Sequence, residues 1–359
     1  MGTYYLLIAI ELALALCIKL IAPNKAKQEK LIAQLGMFLI FLLLALKAES
    51  VGNDIAGYKR QYEIAAIMPW ANFDYVYFEK GYLLLTKFFS KVGISFQMFT
   101  MVLYALLCHS VTLLIRKFSP NAILSILIFI CYNFLVFSIS GLRQTLAMAM
   151  CIYAFLLCVR YTKKTTILAV ALNMVAVSVH ESAIVFFAVL AAVLFMNRKV
   201  TVSVWITLTV AVFVLRSLIW KVVSYFYDKN ITAFSISGTF IFLVGMVAFI
   251  GFTYYYYPRK RILLTAESGM VFHYDAFLVR AACLCLMCYI VFTGGNLLRS
   301  NMFFTLMLMP GIPVSTEKYP YKTTFLLNMA MGAFLLWLFY EYILKINMLN
   351  MYPYRFFWQ

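Results

Sequence analysis

The stretch that decides the fold is TTILAVALNMVAVSVHESAIVFFAVLAAVLFM, residues 165–196. It is apolar almost throughout, and basic residues flank it at 160–164 and at 198–199. Lysine and arginine in short loops mark the cytoplasmic side of a membrane, so both flanks should lie on the same side. Only an even number of crossings achieves this. The stretch is therefore predicted to form a tight hairpin with its turn at residues 178–181.

The rest of the chain has the same character. Of the 359 residues, 65% are hydrophobic and only 12% are charged, whereas soluble domains carry about 25% charged residues. No soluble core can hide this much apolar surface, so the chain is predicted to be an all-α polytopic integral membrane protein. This excludes a cytosolic enzyme, a secreted disulfide scaffold and a nucleic-acid-binding domain. The chain has a net charge of +17, which is typical of a membrane protein whose basic cytoplasmic loops contact anionic lipid.

About twelve segments approach the roughly 20 apolar residues that a spanning helix needs, and the whole chain, 1–359, is treated as one membrane domain. The segments run near 3–21, 31–47, 95–115, 121–139, 143–159, 165–179, 182–196, 201–217, 238–257, 274–293, 298–310 and 323–344. Basic clusters follow every second segment, so both termini are predicted to lie outside the cell.

Three segments on the predicted outer side are too long or too polar to be simple turns. The longest, residues 48–94, carries carboxylates among aromatic residues, and an amphipathic helix at 76–90 is predicted to lie in the membrane interface. Three of its lysines are predicted to point outward: Lys80, Lys87 and Lys91. The other two segments are a second outer loop, 216–237, which contains Arg216, and the tail from 345 to 359.

Two arginines lie in the first turns of predicted spans. Arg143 follows Ser140, a predicted N-cap, and Arg299 follows Asn296. A helix N-terminus has free N–H groups and a positive dipole, so a fixed arginine there is unfavourable unless an anion joins it. The guanidinium fork suits phosphate. The pattern predicts a diphosphate clamp; the alternative is an interfacial arginine that reaches lipid phosphate.

The predicted turn of the hairpin carries His180 and Glu181. A helix N-terminus disfavours imidazolium, so His180 is a candidate general base, and the alternative is an interfacial hydrogen-bonding residue. Glu181 is predicted to cap the helix or bind substrate. Arg280 falls inside an apolar segment, where a charge usually faces a cavity or a partner. A structural ion pair with Asp275 and a substrate role are both open.

Asp54 and Glu79 are carboxylates beside aromatic residues in the first outer loop. Such pairs are common where sugars bind, and a carboxylate could also take a proton from an attacking hydroxyl. The alternative is a solvated loop with an aromatic belt. The same two interpretations, sugar binding and an aromatic belt, apply to Tyr354 in the tail. The eight cysteines lie in apolar stretches and are predicted to act as small hydrophobic residues, and no metal site is predicted.

In order and spacing, these motifs resemble the EpsG family of polysaccharide-assembly membrane proteins, a branch of the Wzy-type polymerases. The matching segments are Asp54 with Tyr58, Glu79-Lys80-Gly81-Tyr82, Gly141-Leu142-Arg143-Gln144, His180-Glu181-Ser182-Ala183, Asn296 to Arg299, and Tyr352-Pro353-Tyr354. The resemblance implies a polymerase of undecaprenyl-diphosphate-linked oligosaccharide repeat units at the outer face of a bacterial plasma membrane. It implies no cofactor and no metal.

The catalytic candidates are His180, Asp54 and Glu79. The substrate-binding candidates are Arg143, Gln144, Arg299, Arg280, Arg216, Glu181, Tyr58 and Tyr354. A sugar hydroxyl is expected to attack the anomeric carbon of the donor with inversion. Besides lipid-linked glycan, the expected partners are membrane lipids and a chain-length regulator and flippase of the same pathway, with no nucleic acid. The alternatives are a polysaccharide ligase, a flippase or exporter of lipid-linked glycan, and an acyltransferase.

Overall fold

The computed structural model describes residues 1–69, 78–195, 202–226, 238–257, 263–291 and 299–359. The first nine helices are α1 Gly2–Ile21, α2 Lys25–Ala45, α3 Ile55–Ile67, α4 Lys80–Lys91, α5 Phe96–Phe118, α6 Ala122–Cys131, α7 Phe134–Ser140, α8 Leu142–Cys158 and α9 Lys163–Val179. The next eight are α10 Phe186–Leu194, α11 Val202–Val214, α12 Arg216–Phe226, α13 Gly238–Tyr256, α14 Tyr274–Val291, α15 Met302–Leu308, α16 Gly311–Thr316 and α17 Tyr321–Phe339. Strands β1 Leu263–Thr265 and β2 Val271–His273 pair antiparallel. Apart from this hairpin, the described fold is helical, as predicted.

Polar caps begin several of these helices. The side chains of Asn24, Ser95 and Asn121 each accept a hydrogen bond from a backbone N–H in the first turn of α2, α5 and α6. Thr162 forms a capping box with Thr165 at the start of α9. These caps satisfy donors that a helix otherwise leaves unpaired. The apolar runs that follow then set the length of each helix.

Five helices of the described chain are long and apolar enough to cross a membrane. They are α1, α2, α5, α14 and α17 with its extension to Leu344. A sixth is obtained if the bent pair α6 and α7 forms one span. Three shorter apolar helices cover Leu142–Cys158, Glu181–Leu194 and Leu243–Tyr256. The chain is thus a helical membrane protein, and the total of twelve spans stays a prediction.

One predicted span is broken. Segment 121–139 bends by 52° between α6 and α7, where Asn133 adopts a left-handed conformation with φ of 60°. The single helix predicted for this segment is therefore wrong. The predicted segment 298–310 contains the short helix α15, and α16 follows it after Pro310, which has no N–H to donate to the preceding turn.

The first outer segment contains two helices, α3 and α4. α4 begins at residue 80, four residues after the predicted start, and residues 76 and 77 lie outside the described part of the chain. Lys80 and Lys91 are exposed, but Lys87 is buried and its Nζ donates to the carbonyl oxygen of Met68. Lys87 follows Leu83 by one turn and so shares its buried face. The prediction that Lys87 points outward is wrong.

The loops that the sequence assigns to the cytoplasm lie together. The contacts that join them are Lys25 with Glu317, Arg160 with Glu267, Lys318 with Asp275, and the Ala122 N–H with Glu29. We call this end of the helices the basic face. The loops therefore lie at one end of the helices, in agreement with the pattern of basic clusters in the sequence. The side of the membrane on which this face lies stays a prediction.

The C-terminal tail, 345–359, packs at the opposite end, which we call the tail face. The Tyr4 hydroxyl donates to the Met351 carbonyl oxygen over 2.8 Å, and the Tyr354 hydroxyl donates to Leu43 over 2.7 Å. α8, which packs against α5 and α9, runs from this face to the basic face. The start of α8 therefore meets the loops that carry most of the candidate functional residues.

Candidate functional site

Glu79 is the centre of a polar cluster on the tail face. One oxygen of its carboxylate, Oε2, pairs with Nη1 of Arg143. The other, Oε1, lies 3.1 Å from Nδ1 of His180 and accepts the Glu181 backbone N–H over 3.3 Å. The side chains of the pair and of His180 are 17–19% exposed. One carboxylate thus joins the starts of α4 and α8 to the turn after α9, in a place that solvent still reaches.

The ionised carboxylate of Glu79 determines which ring nitrogen of His180 carries the proton. Burial by itself raises the pKa of Glu79, but the hydrogen bond from His180 and the charge of Arg143 outweigh it and lower the pKa to about 2. Glu79 is therefore ionised at neutral pH and acts only as an acceptor. His180 must then donate through Nδ1. In the neutral ring this leaves Nε2 as a proton acceptor.

Aromatic rings enclose the guanidinium of Arg143. Its Cζ lies 4.4 Å from the centroid of the Phe78 ring, and its Nε donates to the Tyr58 hydroxyl over 3.3 Å. Tyr58, Phe78 and Tyr82 also contact one another with centroid separations of 5.3 to 5.8 Å. These contacts use two of the five N–H groups of an arginine. Arg143 is therefore held in position and keeps donors for an anion.

Gly81 brings Glu79 within reach of His180. A Cβ at Gly81 would lie 2.6 Å from the carbonyl oxygen of Ser178, so only glycine lets α4 lie this close to the end of α9. The chain turns at His180, two residues further on, as the hairpin prediction expected. Phe78 and Gly81 carry parts of the site that the sequence interpretation left without a role. A glycine inside a helical pattern often has such a packing reason.

Asp54 joins the cluster indirectly. It precedes α3, its N–H donates to the hydroxyl oxygen of Ser140 over 3.1 Å, and that hydroxyl donates back to Oδ2 of Asp54 over 3.1 Å. Ser140 ends α7, and Gly141 is the N-cap of α8. The predicted capping role of Ser140 is wrong because Asp54 takes its hydroxyl. Asp54 therefore ties α3, and with it Tyr58, to the start of α8.

Gln144 connects the second predicted arginine to the same helix start. Its side chain is buried, and Nε2 donates to the Arg299 carbonyl oxygen over 3.1 Å. The guanidinium of Arg299 lies over the ring of Phe137, 5.3 Å from its centroid. Arg143 and Arg299 are thus both attached at the first turn of α8. Asn296, the predicted cap, lies outside the described residues.

Three further candidates lie elsewhere. Arg216 Nε donates to the Ile290 carbonyl oxygen at the end of α14, over 2.8 Å. Arg280 Nη1 donates to the carbonyl oxygens of Ala192 and Phe195, over 3.3 and 2.9 Å, at the end of α10 that points to the basic face. The partners of Arg280 are carbonyl oxygens that a helix end leaves unpaired. Tyr354 uses its hydroxyl to bind the tail to α2.

The alternative interpretation of Arg280 named Asp275 as its ion-pair partner. The carboxylate of Asp275 pairs instead with Lys318 in a buried position. Residues five apart on a helix do not share a face, which explains the different partner. Among the described residues, no group of three or more His, Cys, Asp and Glu side chains could hold a metal ion.

Comparison with known proteins gives one family. The model of the EpsG family matches residues 30–356, nearly the whole chain, and the chain therefore belongs to this family. No curated protein and no solved structure matches it. Together with the apolar helices, the family indicates a membrane protein of the polysaccharide-polymerase type.

Proposed function

From its membership of the EpsG family, we propose that the protein is a glycosyltransferase that polymerises lipid-linked oligosaccharides. The donor is a glycan on undecaprenyl diphosphate, the acceptor is a second lipid-linked repeat unit, and the reaction takes place at the outer face of the bacterial plasma membrane. The tail face is then the outer face. The basic face lies in the cytoplasm, consistent with the positive-inside rule.

The observation that carries this proposal is the sharing of Glu79 by Arg143 and His180. Glycosyl transfer from a diphosphate needs a base for the attacking hydroxyl and positive charge for the leaving group. The cluster supplies one of each, joined by a single carboxylate. All three side chains are partly exposed, which a bound substrate requires.

In the proposed step, a hydroxyl oxygen of the acceptor sugar attacks the anomeric carbon of the donor. Nε2 of His180 accepts the hydroxyl proton, and Glu79 stabilises the imidazolium that forms, as a carboxylate does for a catalytic histidine. The bond between the anomeric carbon and the phosphate oxygen breaks, and its electron pair leaves with the lipid diphosphate. Direct displacement inverts the anomeric configuration.

Arg143 binds the charge that grows on the departing phosphate oxygen. Glu79 and the Phe78 ring already fix its guanidinium, so little reorganisation is needed when the charge develops. Arg299, which Gln144 holds beside the same helix start, supplies a second positive charge for the diphosphate. Tyr58 orients Arg143 through its hydroxyl.

The decisive experiment assays purified variants with lipid-linked repeat units from host cells that lack the protein. His180→Gln should lower the rate by about 10²–10⁴, the usual contribution of a general base. Glu79→Gln should lower it by about 10⁴, as replacing the carboxylate that holds a catalytic histidine in the correct tautomer does. The products are resolved by length on gels.

The matched controls are His109→Gln and Glu63→Gln. Both residues are exposed, on α5 and α3, outside the cluster. Both controls should polymerise as the wild type does. Near-normal turnover of His180→Gln across the pH range would remove it as the base. Transfer of finished polymer to a different acceptor, with no growth from repeat units, would identify a ligase instead.

A further inference from the structure

A polar cavity lies on the tail face, beside α3 and separate from the Glu79 cluster. Its volume is about 510 Å³, within the roughly 300–1,000 Å³ typical of small-molecule sites. Its walls come from residues 47–59, from the start of α5 at 95–100, and from the tail at 355–359. None of the arginines or carboxylates of the Glu79 cluster lines it.

The wall formed by the tail is a hydrogen-bonded part of the fold. The Ala48 N–H donates to the Arg355 carbonyl oxygen over 2.8 Å, and the Phe357 N–H donates to Leu46 over 2.9 Å. These bonds pair the tail antiparallel with the segment that follows α2. The cavity is therefore preformed and does not depend on a loose chain end.

The lining has the chemistry of a sugar site. The rings of Phe96 and Phe357 offer flat apolar surfaces. Gln97 Nε2 donates to the Ala45 carbonyl oxygen and Gln359 Oε1 accepts the Phe356 N–H, so Gln97 offers its side-chain oxygen as an acceptor and Gln359 its Nε2 as a donor. Sugar hydroxyls need hydrogen-bond partners of both kinds, and sugar C–H faces pack on aromatic rings. A site of this mixed character suits a polyhydroxylated ligand.

The charges in the cavity are mixed, and Arg355 adds an exposed guanidinium to its lining. Lys59 Nζ is 2.7 Å from a carboxylate oxygen of Glu49, so the two charges offset each other. Burial lowers the pKa of Lys47 to about 7, so its ammonium group carries only part of a charge at neutral pH. With Arg355 and the partial charge of Lys47, the cavity carries a moderate positive charge, which suits an oligosaccharide whose sugars carry hydroxyl or carboxylate groups.

The helix α3 connects the two places. Ile55 and Lys59, one turn apart, line the cavity, whereas Tyr58 contacts Arg143. Tyr58 is three residues from Ile55, and residues three apart on a helix have Cβ atoms about 5–6 Å apart. A glycan whose diphosphate lies at Arg143 is therefore long enough, after a few sugars, to reach the cavity.

We propose that this cavity binds a short oligosaccharide, the part of the glycan that lies away from the diphosphate. The inference rests on the proposed function, and adds to it a saccharide subsite bounded by Lys59, Phe96 and Phe357. Such a subsite holds the glycan in place by its sugars, while the lipid end is exchanged at the Glu79 cluster.

The test uses full-length protein in nanodiscs and lipid-free oligosaccharides, released by mild acid from the surface polysaccharide of the source cells. Binding is measured by saturation-transfer NMR and equilibrium dialysis. Lys59→Trp, which fills the cavity, should weaken binding at least tenfold. Lys163→Trp changes an exposed lysine at the start of α9, on the basic face, and should bind as the wild type does. Phe357→Ala, which removes a lining ring without filling space, should weaken binding as well.

Several outcomes overturn the inference. No binding by the wild type would do so, as would equal binding by the wild type, Lys59→Trp and Phe357→Ala. Displacement of the oligosaccharide by inorganic pyrophosphate would identify an anion site instead. Arg143→Ala should bind the oligosaccharide normally yet make polymer about 10²–10³-fold more slowly. If Arg143→Ala made polymer at the wild-type rate while Lys59→Trp lost binding, the proposed mechanism would fail and the subsite would stand.

Discussion

Two arginines that look equivalent in the sequence have different surroundings in the structure. Arg143 and Arg299 each follow a polar residue at the predicted start of a span. In the structure, Arg143 pairs with Glu79 and lies 4.4 Å from the centroid of Phe78. Arg299 stacks over Phe137 at 5.3 Å, and in the described part of the chain it has no carboxylate partner.

The different surroundings predict different roles for the two guanidinium groups. A guanidinium that a carboxylate and rings hold in place costs little reorganisation when negative charge develops beside it. A guanidinium that only stacks on a ring must be ordered by the substrate, which costs side-chain entropy on binding. Arg143 is therefore suited to the transition state, and Arg299 to binding the diphosphate.

The largest expected effect tests this division. Arg143→Ala should lower kcat by about 10²–10³, the usual cost of losing a preorganised donor. Arg299→Ala should act mainly on KM, because it removes an interaction made equally with the ground state and the transition state. Steady-state kinetics on lipid-linked repeat units separate the two parameters.

Arg160→Ala is the matched control. This arginine also pairs with a carboxylate, that of Glu267, but on the basic face, and it should have wild-type kinetics. If Arg299→Ala lost as much in kcat as Arg143→Ala, the two arginines would be equivalent after all. The comparison on which the mechanism rests would then be wrong.

The sequence predicted the class of fold and the grouping of the loops well, because both depend on local composition. The hairpin of residues 165–196 follows from its apolar run and its basic flanks, and α9 and α10 form it. The ordered motifs also led to the EpsG family, which the family comparison confirmed. These inferences need no knowledge of how the helices pack.

The pairings within the site could not be predicted, because they depend on packing between distant segments. Glu79 and Arg143 are 64 residues apart, and Glu79 and His180 are 101 apart. No periodicity relates such positions. The sequence therefore listed Asp54, Glu79 and His180 as rival bases, whereas the structure makes Glu79 the partner of His180 and Asp54 the partner of Ser140.

A smaller effect is expected at Gly81, which sets the contact between α4 and α9. Gly81→Ala places a Cβ 2.6 Å from the Ser178 carbonyl oxygen, so backbone must move. Overpacking of this kind typically costs about 1–3 kcal/mol. We expect a lower Tm in detergent and a lower kcat, since Glu79 moves away from His180.

Gly57→Ala provides the opposite case. Gly57 is also inside a helix, α3, but a Cβ there meets nothing within 4 Å. Alanine at such a position stabilises by about 0.4–1 kcal/mol, mainly through the unfolded chain. The same substitution should thus lower Tm at one site and raise it at the other. A raised Tm for Gly81→Ala would show that the close contact between α4 and the end of α9 is not needed, and that it does not set the position of Glu79 relative to His180.

The smallest effect separates two roles for Tyr354, which the sequence interpretation placed among the substrate-binding residues. Its hydroxyl donates to the Leu43 carbonyl oxygen, and its ring stands edge-on to Tyr4 with centroids 6.2 Å apart. Tyr354→Phe keeps the ring and removes one hydrogen bond, which typically contributes about 0.5–1.5 kcal/mol. Tm should fall slightly while KM and kcat stay at wild-type values. Tyr321→Phe, at an 85% exposed position, should change neither. A raised KM in Tyr354→Phe would instead show that this tyrosine binds substrate. The tail would then contact the glycan through Tyr354 as well as through the cavity wall.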